Sequence, residues 1–206
     1  MRLHLVRHAR TEYNAAGRLQ GWCDSPLAAD GLGQLRATAA HLAGVGLTAA
    51  WASPSGRTMT TAREILRHHD GLRLRADDGL REYAFGALDG HPESELFGQV
   101  DPREFFADVI EGRHPGLPGG EPAADYLARV AGAFERVVRA HPDGEVLVVA
   151  HGITLVTYLT LLGSTGVIPL ANCSVSTVEI TGSRAEIVRV GFVPAEPAVP
   201  AARTAL

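Results

Sequence analysis

The chain has 206 residues, of which 46% are hydrophobic and 20% charged, and its formal net charge is −4. These values are typical of one globular domain, or one domain with a small insertion. The negative balance gives no overall attraction to nucleic acid, so we expect no nucleic-acid partner and only a local anion site. All 19 basic residues are arginines, which excludes a Schiff-base lysine, a pyridoxal-phosphate anchor and a P-loop lysine.

The cysteines and the apolar stretches favour a reduced, aqueous compartment. Cys23 and Cys173 lie far apart without paired spacing, as expected for two free thiols. The N-terminus lacks the apolar core of a signal peptide. The stretch 146–178 contains no Asp, Glu or Arg, but glycines divide it into pieces too short to cross a bilayer. We therefore expect a cytoplasmic protein without membrane association.

Hydrophobic periodicity predicts alternating strands and helices. In chain order these are a strand at 1–7, a loop at 12–27, a helix at 30–43 capped by Asp30, strands at 49–53 and 72–76 around a helix at 57–68, a long helix from Pro122, a strand at 146–150, a helix at 153–162, and strands at 174–180 and 185–190 joined by a turn at Gly182-Ser183. This alternation predicts a three-layer α/β/α fold with a mostly parallel central sheet.

Two segments depart from the alternation. Between Leu80 and Gly120 the pattern is irregular and aromatic, which indicates a short lid insertion at about 86–120. The Pro/Ala-rich end, 194–206, predicts a flexible tail. We therefore predict a single domain at 1–193.

Three polar residues follow predicted strands. His8 comes after the first strand, Arg57 after the second, and His151 after the strand at 146–150. In parallel sheets, ligands bind at the carboxyl ends of the strands. Each residue alone also has a structural explanation: a surface Arg-His pair, or a histidine buried in the core. Their convergence on one edge favours a common site.

With Arg7 and Glu82, these residues form two arginines, two histidines and a carboxylate, a set that suits phosphoryl transfer. That reaction needs positioning and stabilisation of negative charge on the phosphoryl oxygens. Arginine offers a planar fork for these oxygens, and a histidine with a fixed tautomer can be the nucleophile.

The sequence resembles the histidine phosphatase superfamily, the phosphoglycerate-mutase-like proteins, over about residues 1–190. The resemblance is carried by these blocks, in order: Leu5-Val6-Arg7-His8-Ala9-Arg10-Thr11 with Asn14, Gly21-Trp22-Cys23-Asp24-Ser25-Pro26-Leu27, Ser53-Pro54-Ser55-Gly56-Arg57 with Thr61-Ala62, Leu80-Arg81-Glu82 with Phe85-Gly86-Ala87-Leu88-Asp89-Gly90, Pro118-Gly119-Gly120-Glu121, and Val148-Val149-Ala150-His151-Gly152. One departure is Ala9, where the commonest motif has glycine.

The resemblance implies a role for each matching residue. His8 would be the nucleophile that becomes a phosphohistidine, and Glu82 the proton donor and acceptor. Arg7, Arg57 and His151 would surround the phosphoryl group as further catalytic residues. The residues implied to bind phosphate or substrate are Arg7, Asn14, Gln20, Gly21, Arg57, His151 and Gly152. The resemblance implies no metal and no cofactor, and it leaves a homodimer open.

The predicted function is hydrolysis of a phosphomonoester of a small phosphorylated metabolite. The alternatives are mutase-type phosphoryl transfer and a phospho-ligand-binding module without turnover. Mutases of the family carry a longer, basic insertion, whereas the arginines of this one are only Arg103 and Arg113. Phenylalanines in the insertion suit a leaving group that need not be anionic.

Overall fold

Six strands form one sheet in this computed structural model, which describes residues 1–166 and 169–195. The strands are β1 (Arg2–Arg7), β2 (Leu47–Ala52), β3 (Leu74–Ala76), β4 (Glu145–Ala150), β5 (Val175–Thr181) and β6 (Arg184–Phe192). Their order is β3-β2-β4-β1-β5-β6, and the first four run parallel. The β5–β6 hairpin is antiparallel and pairs with β1 through β5. The predicted mostly parallel sheet is confirmed.

Seven α-helices connect or cover these strands in the described part of the chain. They are α1 (Glu12–Ala15), α2 (Leu32–Leu42), α3 (Gly56–Leu66), α4 (Glu93–Phe97), α5 (Pro102–Ile110), α6 (Ala123–Ala140) and α7 (Gly152–Leu161). Short 3-10 turns occur at Ala29–Gly31, Asp78–Leu80 and Gly86–Leu88. None of the described helices is both long and apolar enough to cross a membrane.

The helices pack on both faces of the sheet because side chains alternate along each central strand. On β4, Val146 and Val148 join the core that includes helices α5, α6 and α7. Leu147 and Val149 instead contact the cluster that includes residues of α2 and α3. This division produces the predicted α/β/α layers, with the apolar strands β1 and β4 buried between them.

The helix predicted at 30–43 begins later, and Asp30 does not cap it. A 3-10 turn at Ala29–Gly31 precedes α2, whose N-cap position is Gly31 without a side-chain hydrogen bond. The Asp30 carboxylate pairs with Arg10 at 2.9 Å instead. Because this ion pair joins residues 20 positions apart, the local capping pattern could not predict it.

Two segments predicted as irregular contain short helices. In the loop at 12–27, Thr11 and Asn14 form a capping box that begins α1. In the insertion at 86–120, the Asp101 side chain accepts a hydrogen bond from the N–H of Arg103 and caps α5, with Pro102 at its first position. Helices this short give little periodic signal, so the caps were the more informative pattern.

The remaining differences are at element ends. The strand predicted at 72–76 is limited to Leu74–Ala76, and the helix predicted at 57–68 ends at Leu66. The turn at Gly182-Ser183 is confirmed between β5 and β6, with Gly182 at φ 60°. Residues 196–206 lie outside the described residues, so the flexible tail remains a prediction.

Candidate active site

A cavity of about 220 Å³ lies where β1 ends and the insertion begins to cover the sheet edge. It is lined by Arg7, His8, Asn14, Arg18, Leu19, Gln20, Glu82, Phe85, Glu93, Phe97, Phe106, Ile110, Gly152, Ile153, Val156, Pro169 and Leu170. Six of the nine residues predicted for the site are in this list. Arg57 and His151 lie beside His8, and Gly21 supports the loop around the cavity.

His8 is buried and held as a neutral imidazole. Its Nδ1 lies 2.8 Å from the carbonyl oxygen of Ala9. Because a carbonyl can only accept, Nδ1 carries the proton and Nε2 keeps its lone pair. Burial, together with the positive charges of Arg57 and Arg7, holds the pKa of His8 well below its ordinary value of 6.5. Such an imidazole has the tautomer and the charge of a nucleophile.

His151 lies next to His8, with the two ring centroids 5.3 Å apart and edge to face. It follows β4 as the N-cap residue of α7. Its Nε2 is 2.8 Å from Ser53 Oγ, and its buried Nδ1 has no partner. Burial and the neighbouring charges, first that of Arg57, hold the pKa of His151 well below its ordinary range.

Arg57, in the first turn of α3, is 1% exposed. Its Nη1 donates to the carbonyl of Cys23 at 2.8 Å and to Asp24 Oδ1 at 3.0 Å. Its Nη2 donates to the carbonyls of Gln20 and Gly21 at 3.3 and 2.7 Å. The Asp24 carboxylate also accepts from the Arg57 backbone N–H, so it supplies the anion that the first helical turn favours.

Arg7 ends β1 and lines the cavity. Its Nη1 donates to the carbonyl of Leu170. Its Cζ and Nε lie 3.5 Å from where a Cβ on Gly152 would be, so the start of α7 packs against the guanidinium and a Cβ there would make an ordinary van der Waals contact. Burial is the main cause that lowers the pKa of Arg7, although the charge of Glu82 opposes it.

Three buried nitrogens of this group have no partner: Arg7 Nε, Arg57 Nε and His151 Nδ1, the last being an N–H donor in the tautomer in which Ser53 Oγ donates to His151 Nε2. An unpaired buried donor costs roughly 1–3 kcal/mol. Within the described ranges, only two other buried side-chain polar atoms are unpaired, one each on His69 and Ser174. The concentration of unpaired N–H groups around His8 is what a site for a multi-oxygen anion requires.

Glu82 lies on another wall of the cavity and is 6% exposed. Its Oε1 accepts from Thr154 N, Thr154 Oγ1 and Tyr83 N at 3.0, 3.0 and 3.1 Å, and its Oε2 accepts from Ile153 N at 3.0 Å. The first turn of α7 therefore fixes the carboxylate. Oε2 has a single hydrogen-bond partner and is the oxygen with more remaining acceptor capacity.

The other predicted site residues have mixed placements. Asn14 and Gln20 line the cavity, although Gln20 also accepts from Thr11 Oγ1 at 2.8 Å. Gly21 donates its N–H to Asp89 Oδ1 at 2.9 Å and does not line the cavity. A Cβ at Gly21 would lie 2.7 Å from the same Asp89 oxygen, so this position admits only glycine without local rearrangement.

Asn172 supports the site from the segment before β5, and sequence reasoning missed it. Its Nδ2 donates to the His8 carbonyl at 3.0 Å and to Asn14 Oδ1 at 3.3 Å. Asn14 Oδ1 also accepts from Thr11 N. The two hydrogen bonds to Oδ1 fix the orientation of the Asn14 amide and leave its Nδ2 group as the free donor. Nothing in the local sequence around Asn172 indicated that it would return to the end of β1.

Ala9, in place of the family's usual glycine, is accommodated by the fold. It is fully buried in a small cluster with Leu35 and Cys173, and its N–H donates to Thr61 Oγ1 at 2.9 Å. Among the described non-glycine residues, only Cys173 has a positive φ. The backbone at position 9 therefore does not require glycine.

The side of the cavity away from His8 is mainly apolar. Phe97, Phe106 and Ile110 come from the insertion, and neither Arg103 nor Arg113 lines the cavity. Arg113 pairs with Asp108 on the exposed surface. In the described ranges, no three His, Cys, Asp or Glu side chains are grouped to hold a metal ion.

Fold and site together are those of the phosphoglycerate-mutase-like proteins. The family model of the histidine phosphatase superfamily (branch 1) matches residues 3–192, and the chain belongs to this superfamily. A relative named probable phosphoglycerate mutase GpmB, from Serratia proteamaculans, is 34% identical over 187 residues, covering 87% of this chain and 85% of the relative.

Solved structures agree with this assignment. YhfR of Bacillus stearothermophilus is 29% identical with a TM-score of 0.80, covering 93% of this chain and 97% of its own. A mycobacterial glucosyl-3-phosphoglycerate phosphatase in complex with VO3 is 25% identical with a TM-score of 0.78, covering 93% of this chain and 98% of the phosphatase chain. These similarities identify the superfamily, whose relatives named here include both a mutase-type protein and a phosphatase.

The lowered pKa of His8 can be tested by NMR titration of its imidazole, assigned by comparison with His8→Gln. We expect the resonance to stay that of the neutral ring from pH 8 down to pH 6.5, because burial and two arginines disfavour the imidazolium. An unperturbed histidine would be about half protonated at pH 6.5. A midpoint at or above 6.5 would contradict the electrostatics described for the site.

Asn172→Ala should weaken the binding of inorganic phosphate by about 2- to 12-fold, the range for losing one net hydrogen bond of 0.5–1.5 kcal/mol. The physical reason is that the Asn14 amide loses a partner that fixes it. Calorimetry with phosphate measures the effect. Thr38→Val is the matched control, because Thr38 Oγ1 donates to the carbonyl of Cys173 at 2.9 Å and supports the same turn without contacting His8 or Asn14. Equal losses in both variants would assign Asn172 a merely structural role.

Proposed function

We propose that this protein hydrolyses phosphomonoesters of small metabolites through a phosphohistidine on His8. The observation that carries the proposal is the arrangement of a neutral, tautomer-fixed His8 between unpaired arginine and histidine N–H groups, with the Glu82 carboxylate on another wall of the same cavity. The phosphoryl group would be bound by Arg7, Arg57 and His151, with Asn14 adding a hydrogen bond.

In the first step, His8 Nε2 attacks phosphorus and a P–N bond forms as the P–O bond to the leaving group breaks. Negative charge on the phosphoryl oxygens is stabilised by the Nε–H groups of Arg7 and Arg57 and by Nδ1–H of His151. Protonated Glu82 gives its proton to the leaving oxygen, so the product is a neutral alcohol. The arginines supply the positive charge, and we propose that no metal is needed.

In the second step, a water molecule replaces the alcohol in the cavity. The Glu82 carboxylate now accepts a proton from this water as its oxygen attacks phosphorus. The P–N bond breaks, inorganic phosphate leaves, and His8 returns to its neutral form. The contacts of Glu82 with the first turn of α7 keep the carboxyl group in one position for both proton transfers.

Mutase-type transfer is the second candidate, supported by the 34% identity to a probable phosphoglycerate mutase. Hydrolysis is favoured by the leaving-group side of the cavity, where Phe97, Phe106 and Ile110 of the insertion line the wall and the arginines of the insertion do not. A mutase must also protect its phosphoenzyme from water, and the cavity opens to solvent at exposed Arg18 and Glu93.

A phosphomonoester panel with EDTA present tests the proposal. We expect release of inorganic phosphate from several esters. We also expect that adding 2,3-bisphosphoglycerate does not accelerate the isomerisation of 3-phosphoglycerate. Brief incubation with a radiolabelled ester should give protein-bound label that is stable to alkali and labile to acid, and His8→Ala should abolish it. No label and no phosphate release from any ester would sink the proposal and favour a binding module without turnover.

Glu82→Gln separates the acid from the nucleophile. Hydrolysis of alkyl phosphates should fall by about 10²–10⁴-fold, the usual contribution of general acid catalysis, while p-nitrophenyl phosphate should lose far less because its leaving group needs little protonation. The ratio of kcat/KM for the two ester types gives the result. Similar losses on both would count against Glu82 as the proton donor.

A further inference from the structure

Glu93 lies on the leaving-group side of the cavity without a partner. It is the first residue of α4, and its backbone N–H donates to the carbonyl of Gly17 at 2.8 Å. Its side chain is exposed at the cavity rim. Within the described ranges, the Glu93 carboxylate makes no hydrogen bond and no ion pair. It is therefore a negative charge that the fold leaves available at the cavity rim.

Glu93 and Arg7 line the same cavity. Glu93 is one of the negative groups that act on Arg7, where its attraction opposes the lowering of the Arg7 pKa by burial. Since Arg7 would bind the phosphoryl group, a substrate held there places its leaving group within the field of Glu93. An exposed charge acts over about 8–10 Å at ordinary salt.

Arg18 is the cation on this side, and Glu93 offsets it. The two residues are brought together by the bridge between Arg18 and Pro92. Arg18 Nη1 donates to the carbonyl of Gly90 at 2.7 Å, and its guanidinium lies over the Tyr13 ring, which holds the side chain at the rim. The leaving-group side therefore carries no net positive charge.

The rest of this side offers an anion no compensation. Phe97, Phe106 and Ile110 line it from the insertion, and Val156 and Leu170 from the main domain. A carboxylate or second phosphate placed against this wall would lose water without gaining a donor, which is costly. An uncharged alcohol would bury its carbon skeleton there at a gain.

We propose that Glu93 is a specificity-determining residue that excludes leaving groups with a negative charge, so that the substrates are phosphomonoesters of uncharged alcohols. This inference rests on the proposed phosphatase function. Glu93 acts by repulsion and not by a contact with the phosphoryl group. Its removal changes the ratio of kcat/KM between charged and uncharged esters, because any effect through Arg7 on the phosphoryl group is common to both.

A matched pair of esters isolates this effect. Glycerol 3-phosphate and 3-phosphoglycerate share a three-carbon skeleton and differ in having a hydroxymethyl group or a carboxylate. Wild-type protein should have the higher kcat/KM on glycerol 3-phosphate. Glu93→Gln should shift the ratio toward 3-phosphoglycerate by about 1.5- to 5-fold, the range for one exposed charge interaction of 0.2–1 kcal/mol. Glu93→Lys should shift it further, and high salt should reduce both shifts.

Glu95→Gln is the control variant. Glu95 lies on the same helix and is exposed, but it pairs with His91 at 2.9 Å and does not line the cavity. The control should leave the ratio unchanged. An unchanged ratio in both Glu93 variants, or an equal shift in Glu95→Gln, overturns the inference.

Calorimetric binding of the two esters provides the same ratio without turnover. A wild-type protein that binds the esters and hydrolyses neither would contradict the proposed function, while the shift in binding preference between wild type and Glu93→Gln would still decide the inference. Because the Glu93 side chain is exposed and unpartnered, we expect Glu93→Gln to leave the melting temperature nearly unchanged, whereas Glu93→Lys places a cation in the first turn of α4 and should lower it slightly. A melting temperature well above the assay temperature in each variant separates a lost preference from unfolding.

Discussion

The backbone hydrogen bond from His8 N–H to the carbonyl of Ala150, 3.0 Å long, continues the parallel pairing of β1 and β4 one residue beyond the strands. On the other side of β4, Ser53 N–H donates to the carbonyl of Val149 at 3.0 Å. This hydrogen bond continues the parallel pairing of β2 and β4 one residue beyond the end of β2. Three strands therefore end at one level. His8, Ser53 and His151 are neighbours because the register of the sheet makes them so.

Burying these groups beside two arginines imposes an electrostatic cost, and the fold offsets it in two ways. Arg57 is surrounded by loop carbonyls and the Asp24 carboxylate, so its charge is compensated without phosphate. The two histidines stay neutral because protonating either would add a positive charge to a buried, already positive environment. The same arrangement that holds the pKa of His8 down gives it the lone pair that a nucleophile needs.

The unpaired donors also exchange stability of the empty site for the ability to bind an anion. Binding them to protein carbonyls would stabilise the empty fold but would leave nothing for an anion. Leaving Arg7 Nε, Arg57 Nε and His151 Nδ1 without partners costs stability, and it preorganises N–H groups that need not rearrange when charge develops on a ligand. The described core, from Leu3 in β1 to Val149 in β4, is apolar and closely buried, and it can carry that cost.

The sequence allowed the sheet and the residues at its edge to be predicted, because apolar runs mark buried strands and a polar residue after each run marks its end. His8, Arg57 and His151 were identified in this way. Asn172 and the pairing of Asp24 with Arg57 could not be, since their partners are 164 and 33 residues away and no local pattern encodes those contacts. The helices of the insertion were missed because five and nine residues are too few for a clear period.

The strand-end residues of the phosphoryl side and the helices of the insertion differ in what fixes their positions. The phosphoryl side is built on strand ends whose positions are fixed by many backbone hydrogen bonds, so a change there disturbs the whole sheet. The leaving-group side comes largely from the insertion, which packs through aromatic contacts such as those of Phe97 with Phe105 and Phe106.

These two sides are nevertheless coupled. Tyr83 follows Glu82 in the chain. Its hydroxyl lies 3.2 Å from Nδ1 of His114 in the insertion. Phe85 and Phe105 stack at 6.3 Å on the same side. The segment that carries the proposed proton donor is therefore also the base on which the insertion rests. Rim residues such as Glu93 can vary in charge without disturbing this base, because no described contact ties their side chains to it.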